Sequence, residues 1–190
     1  MKKYLPLLGS LSLSTQLPAV VISGTNIVLG DGSAVGFDYE ILIWEDAGAN
    51  DPTSMWFDYD GTTISPGEMN LDGGSDWYVT SLNDVFSSPN VLAGAFPLTA
   101  KSDMTGLTYI DQVVGSDFYL GVSTDGAGQR SNFGWAQFNF SGGTLSIVDS
   151  AVAYDMGNGI IAGTTQTVPE PSSALLATCA LGLGAIRRRR

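Results

Sequence analysis

The sequence predicts an all-β protein, a single β-sandwich or jelly-roll-like domain, followed by a short apolar C-terminal transmembrane helix. Two observations predict the body. Apolar and polar residues alternate with period two between closely spaced Gly, Asp and Ser turn signals, and no capped run of helix formers with a 3.6-residue period interrupts them. About 140 residues lie between the two ends, enough for one domain with a proper core. The third observation, an uncharged run from Ala174 to Ile186, predicts the helix.

At the front, Lys2 and Lys3 precede the apolar stretches Tyr4 to Gly9 and Ser10 to Leu13, the pattern of a secretory signal peptide over 1–23. Pro6, Gly9 and several serines interrupt it. Cleavage falls after Ala19 or at Val21-Ile22-Ser23. A first strand of the domain is the alternative reading of this segment.

The body is expected over 24–163. Val35, Phe37, Tyr39, Ile41 and Ile43 alternate with Gly36, Asp38, Glu40, Leu42 and Trp44, which predicts a half-buried strand. Met55, Phe57 and Tyr59 alternate with Trp56, Asp58 and Asp60 and run into the turn dipeptide Asp60-Gly61. Trp77 to Val79, Asn90 to Phe96, Tyr109 to Val114 and Phe118 to Val122 are shorter strand candidates. The clearest pair is Asn132 to Phe140 and Thr144 to Tyr154. Ser141-Gly142-Gly143 joins them and supplies the positive φ that a tight hairpin needs. Gly159 to Gly163 adds a last strand, and 164–171 is a linker.

Charge and residue inventory exclude several function classes. The net charge is −11, and between Lys3 and Arg187 only Lys101 and Arg130 are basic. Such a surface repels nucleic acid and anionic lipid; it suits solubility, divalent cations or a hydrated matrix. The sole cysteine, Cys179, lies in the apolar run, so the body has no disulfide. With no histidine, a Ser-His-Asp triad and imidazole metal sites are excluded. No Gly-rich loop leads into a Lys-Ser/Thr helix start, which argues against a phosphate cradle.

What remains is carboxylates and indoles. Asp38 with Glu40, and Asp58 with Asp60, share strand faces, where a glycosidase pair or a solvated face are the two readings. Asp58, Asp60, Asp72 and Asp76 lie in Asx-Gly segments with the oxygen ligands of calcium loops. Neither segment has the full spacing to a bidentate Glu, and metal-free Asx-Gly turns account for them as well. Calcium is the one cofactor candidate. Trp44, Trp56, Trp77 and Trp135 suit either a core or stacking on sugar faces.

The tail is the most informative stretch. Pro169 and Pro171 hold the chain extended around Glu170. Ser172 or Ser173 can cap a helix over 172–186 that, at ~1.5 Å per residue, reaches about 22 Å. Arg187, Arg188, Arg189 and Arg190 then form a basic stop that the positive-inside rule keeps cytoplasmic.

These three parts, Val168-Pro169-Glu170-Pro171, the apolar run and the arginine block, resemble the sorting signal of PEP-CTERM proteins. Those are bacterial envelope proteins processed by exosortase, a membrane cysteine transpeptidase-like enzyme. The resemblance covers about the last two dozen residues. It implies recognition at Pro169, Glu170 and Pro171, cleavage nearby, and release or transfer to the cell exterior in bacteria that secrete exopolysaccharide. A looser resemblance to bodies found upstream of this tail lies in Tyr119 to Val122, Gly134 to Phe138, Ala151 to Tyr154 and Gly159 to Gly163.

The expectation is therefore an exported, non-enzymatic protein with a structural or exopolysaccharide-associated role. It passes transiently through the inner membrane to the cell surface or matrix. Its partners are exosortase and exopolysaccharide, with no nucleic acid. The rivals are a secreted carbohydrate-active enzyme and a calcium-dependent glycan-binding module.

Overall fold

The computed structural model describes residues 21–23, 26–44, 52–69, 75–103, 106–124, 132–154 and 158–169. In chain order the strands are β1 (Val21–Ser23), β2 (Ile27–Asp31), β3 (Tyr39–Trp44), β4 (Pro52–Tyr59), β5 (Thr63–Met69), β6 (Ser75–Thr80) and β7 (Val85–Phe86). A short helix α1 (Ser88–Leu92) precedes β8 (Leu98–Asp103), β9 (Gly106–Tyr109) and β10 (Gln112–Val113). The chain then forms β11 (Asp117–Thr124), β12 (Asn132–Ser141), β13 (Thr144–Ala153), β14 (Asn158–Ile161) and β15 (Thr167–Pro169).

Local chemistry explains the tightest turns. Gly142 and Gly143, at φ 62° and 81°, close the β12–β13 hairpin two residues long, with Ser141 opposite Thr144. At the β4–β5 turn, one Asp60 carboxylate oxygen accepts the N–H groups of Thr62 (2.8 Å) and Thr63 (2.7 Å) and the Thr62 hydroxyl (2.9 Å). That is an Asx turn, with the side chain taking the place of a backbone acceptor.

Three sheets result. The largest has seven strands in the order β1-β13-β12-β11-β6-β8-β9. The second has the order β10-β5-β4-β3-β2, and the third the order β15-β14-β7. The seven-stranded sheet is the middle layer. One face carries Trp77, Phe118, Leu120, Val122 and Phe138 against Ile41, Ile43, Met55 and Phe57 of the five-stranded sheet. The other carries Tyr78, Phe133 and Trp135 against Phe86, Val91 and Ile160 of the small sheet and α1. Covering both faces makes the central strand β11 buried almost throughout, from Leu120 to Thr124.

Aromatic contacts join the layers. Tyr59 of β4 meets Phe118 (5.5 Å, tilted) and Phe140 (5.2 Å, edge-on). Its hydroxyl donates to the Gly115 carbonyl, and burial, followed by the charges of Asp60 and Asp117, raises its pKa. Tyr154 donates to the Trp44 carbonyl at 2.9 Å and accepts from the Asn26 amide, which ties β13 to the five-stranded sheet.

Several expectations are corrected. The described residues form an all-β, multi-sheet domain, but none of their helices is long and apolar enough to cross a membrane. Those helices are the 3-10 turn Ser33–Val35 and the five-residue α1. Five residues span only about 8 Å, against the roughly 30 Å of a hydrocarbon core. The transmembrane helix and the transient inner-membrane stage are therefore withdrawn; segments 172–186 and 187–190 lie outside the described residues. Asn90 to Phe96 is not a strand. Pro89 enters the first turn of α1, and Ala93 N–H bonds back to the Pro89 carbonyl at 3.0 Å. Strand β3 begins only at Tyr39, because Gly36 at φ 92° breaks the alternation before it. The ladders also pass both expected limits of the body: β1 pairs with β13, and β15 with β14.

Candidate functional site

The segment Val168-Pro169-Glu170-Pro171 starts inside the fold. Strand β15 is an edge of the three-stranded sheet, with Val168 opposite Gly159 and Pro169 opposite Asn158. Proline lacks the N–H a ladder needs, so an edge is where a strand tolerates it. Glu170, Pro171 and Arg187 to Arg190 lie outside the described residues.

The three calcium candidates among the described residues, Asp58, Asp60 and Asp76, do not converge. Asp60 is committed to its Asx turn. Those hydrogen bonds, with the Thr63 N–H first and then those of Thr62, hold its carboxyl below the usual value. Asp58, exposed on β4, accepts the Asp38 N–H at 2.9 Å, which fixes the entry into β3. Asp76 lies on another sheet, and Asp72 lies outside the described residues. Among the described residues no group of three potential metal-ligating side chains occurs. The proposed carboxylate pairs fare similarly, since Asp38 precedes β3 rather than sharing its ladder with Glu40.

Asp76 is instead a buried structural acid, 1 % exposed. Its carboxylate accepts from the Tyr78 hydroxyl (3.3 Å) and the Ser102 N–H (3.2 Å). In the ladder it stands opposite Lys101 on one side and Ser123 on the other. Lys101, one of the two basic residues between Lys3 and Arg187, thus lies across the ladder from a buried acid. Tyr78 sits two residues beyond Asp76 and so shares its face; that period was the one signal in the sequence. Lys101 is brought there only by the pairing of β6 with β8.

The tryptophans separate into two pairs. Trp77 and Trp135 are in the core, at 0 % and 1 % exposure. Their indole N–H groups donate to Ser75 Oγ (3.0 Å) and to the Thr164 carbonyl (2.8 Å). Trp44 and Trp56 are half-buried and belong to the outward face of the five-stranded sheet. Their neighbours in sequence, Ile43, Met55 and Phe57, fill the inward face. Across this outward face Val28 stands opposite Leu42, Leu42 opposite Ser54, and Trp44 opposite Pro52. Trp56 stands between Glu40 on β3 and Glu68 on β5. Flat rings flanked by carboxyl oxygen acceptors can hold a ligand that has both an apolar face and hydroxyl donors.

Compared with protein-family models, curated proteins and solved structures, the chain matches none of them.

Proposed function

We propose that this is an exported, non-enzymatic protein of the envelope or extracellular matrix, with a structural, exopolysaccharide-associated role. It is sorted by exosortase acting at Val168-Pro169-Glu170-Pro171. One observation carries the sorting reading: the last strand of the domain, Thr167–Pro169, ends within this motif, so the chain leaves the edge of a sheet directly into Glu170-Pro171. An edge strand is held by one neighbour only, and an enzyme that reads extended backbone gains access there more readily than within a sheet.

The test is intact mass and fractionation of the protein in an exosortase-bearing host, comparing wild type with Glu170→Ala and Pro171→Ala. These positions follow β15 and leave its ladder intact. Mass loss at the tail in wild type, and its absence in the variants, supports the reading. An identical, full-length product from all three refutes it. Release of reducing ends from a polysaccharide by the purified protein refutes the non-enzymatic part.

A further inference from the structure

The outward face of the five-stranded sheet follows a pattern that neither the core nor the sorting motif requires. On the inward face of β3 and β4, Ile41, Ile43, Met55 and Phe57 are all 0 % exposed. On the outward face, Trp44 and Trp56 stand on neighbouring strands. They are offset by four residues, about 13 Å at ~3.3 Å per residue. Ser54 lies between them, 3 % exposed. Glu40 and Glu68 flank Trp56, each one ladder spacing away, about 4.8 Å.

A further ring stands close against β5. The β4–β5 register shifts after Trp56, leaving Gly67 as the extra residue of a bulge. A Cβ at Gly67 would come within 2.0 Å of Phe37 Cε1, so only glycine lets the Phe37 ring lie there. Gly67 is exposed and Phe37 half-buried. The bulge and its glycine thus accommodate a ring drawn in from ahead of β3, next to the strand that carries Glu68.

We infer that this face binds a neutral polysaccharide chain. A sugar ring offers an apolar C–H face that stacks on an indole, and a rim of hydroxyls that donate to carboxylates such as Glu40 and Glu68. Rings carried on sheet strands keep their spacing, which suits a repeating polymer. The same two glutamates, with the acidic body behind them, repel a polyanion. A protein-docking face keeps charge at its rim and away from its centre; here carboxylates stand on both sides of the central indole. The inference deepens the exopolysaccharide part of the proposed function and rests on it, but it is independent of sorting.

The experiment is affinity electrophoresis of the full-length chain in gels containing a mixed-linkage β-glucan, a galactomannan or a dextran, with alginate as the anionic comparison. At least one neutral polymer should retard the wild type, and alginate should not. Trp56→Ala and Trp44→Ala should each weaken retardation about tenfold, the loss expected for one aromatic anchor, and Trp56→Phe should weaken it less. Melting temperatures of the variants establish that they are folded. The binding polymer should also change the tryptophan emission of unmodified protein, a readout that needs no variant. Glu170→Ala should leave retardation unchanged, so sorting and binding fail separately. Retardation by no neutral polymer, equal retardation by alginate, or full retention in folded Trp44→Ala and Trp56→Ala variants would overturn the inference. So would binding of a synthetic 172–190 peptide in place of the glycans, which would assign the face to the chain's own tail.

Discussion

Replacing Phe86 with alanine tests whether the small sheet is an integral third layer of the fold. Phe86 is 0 % exposed, on a two-residue strand held to β14 through Ile160. Its ring meets Tyr78 (5.7 Å), Phe96 (5.2 Å) and Phe133 (5.5 Å), two of them on the middle sheet. Burying a phenylalanine contributes about 1.5–3 kcal/mol by transfer from water. The cavity left in a packed aromatic cluster raises the cost of truncation to about 3–5 kcal/mol. With a urea m-value of about 2 kcal/mol/M, the midpoint should fall by roughly 1.5–2.5 M at unchanged m. Urea melts followed by both fluorescence and far-UV circular dichroism measure this, and the two probes should coincide. A fall of less than about 0.5 M, with m unchanged, would mean that the small sheet does not seal the middle one, and the layered description would be wrong.

Gly121→Ala addresses the same contact from the middle sheet, since its Cβ would meet the Phe86 ring at 2.9 Å. A thermal melt should show a loss of about 1–3 kcal/mol, and this loss should shrink in a Phe86→Leu background. Asp60 predicts a pH dependence. Its folded pKa is depressed, so its contribution is present above the unfolded value of about 3.9 and is lost as pH falls through the lower folded value. Asp60→Asn should flatten that acid limb in urea melts at stepped pH, and an unchanged profile would contradict the Asx-turn account. Calcium predicts no response. Asp58 and Asp60 already accept backbone N–H groups, so chelation followed by millimolar Ca²⁺ should leave the melting temperature where it was.

How much of this was legible in advance differs by residue. Met55, Phe57 and Tyr59 announced β4, and the Gly142-Gly143 dipeptide announced the longest hairpin, because both depend on steric rules acting within a few residues. Strand β5 was hidden by Pro66 and Gly67, two residues that argue against a strand until the bulge and the Phe37 ring explain them. Asn90 to Phe96 has enough apolar residues for a strand, and Pro89 tipped its start into a helical turn. The candidate site was half legible. Alternation put Glu40, Leu42 and Trp44 on one face, yet only pairing with β4 brought Trp56 between Glu40 and Glu68.

Composition and local pattern are enough to require short strands and tight turns in an acidic body without histidine or a disulfide. Those properties are local or compositional. Tertiary structure alone decided that the middle sheet is covered on both faces, that Asp76 is buried opposite Lys101, and that Trp44 and Trp56 emerge while Trp77 and Trp135 do not. Each of these depends on which distant strand lies alongside, and period-two alternation names the residues that share a face without saying what that face will meet.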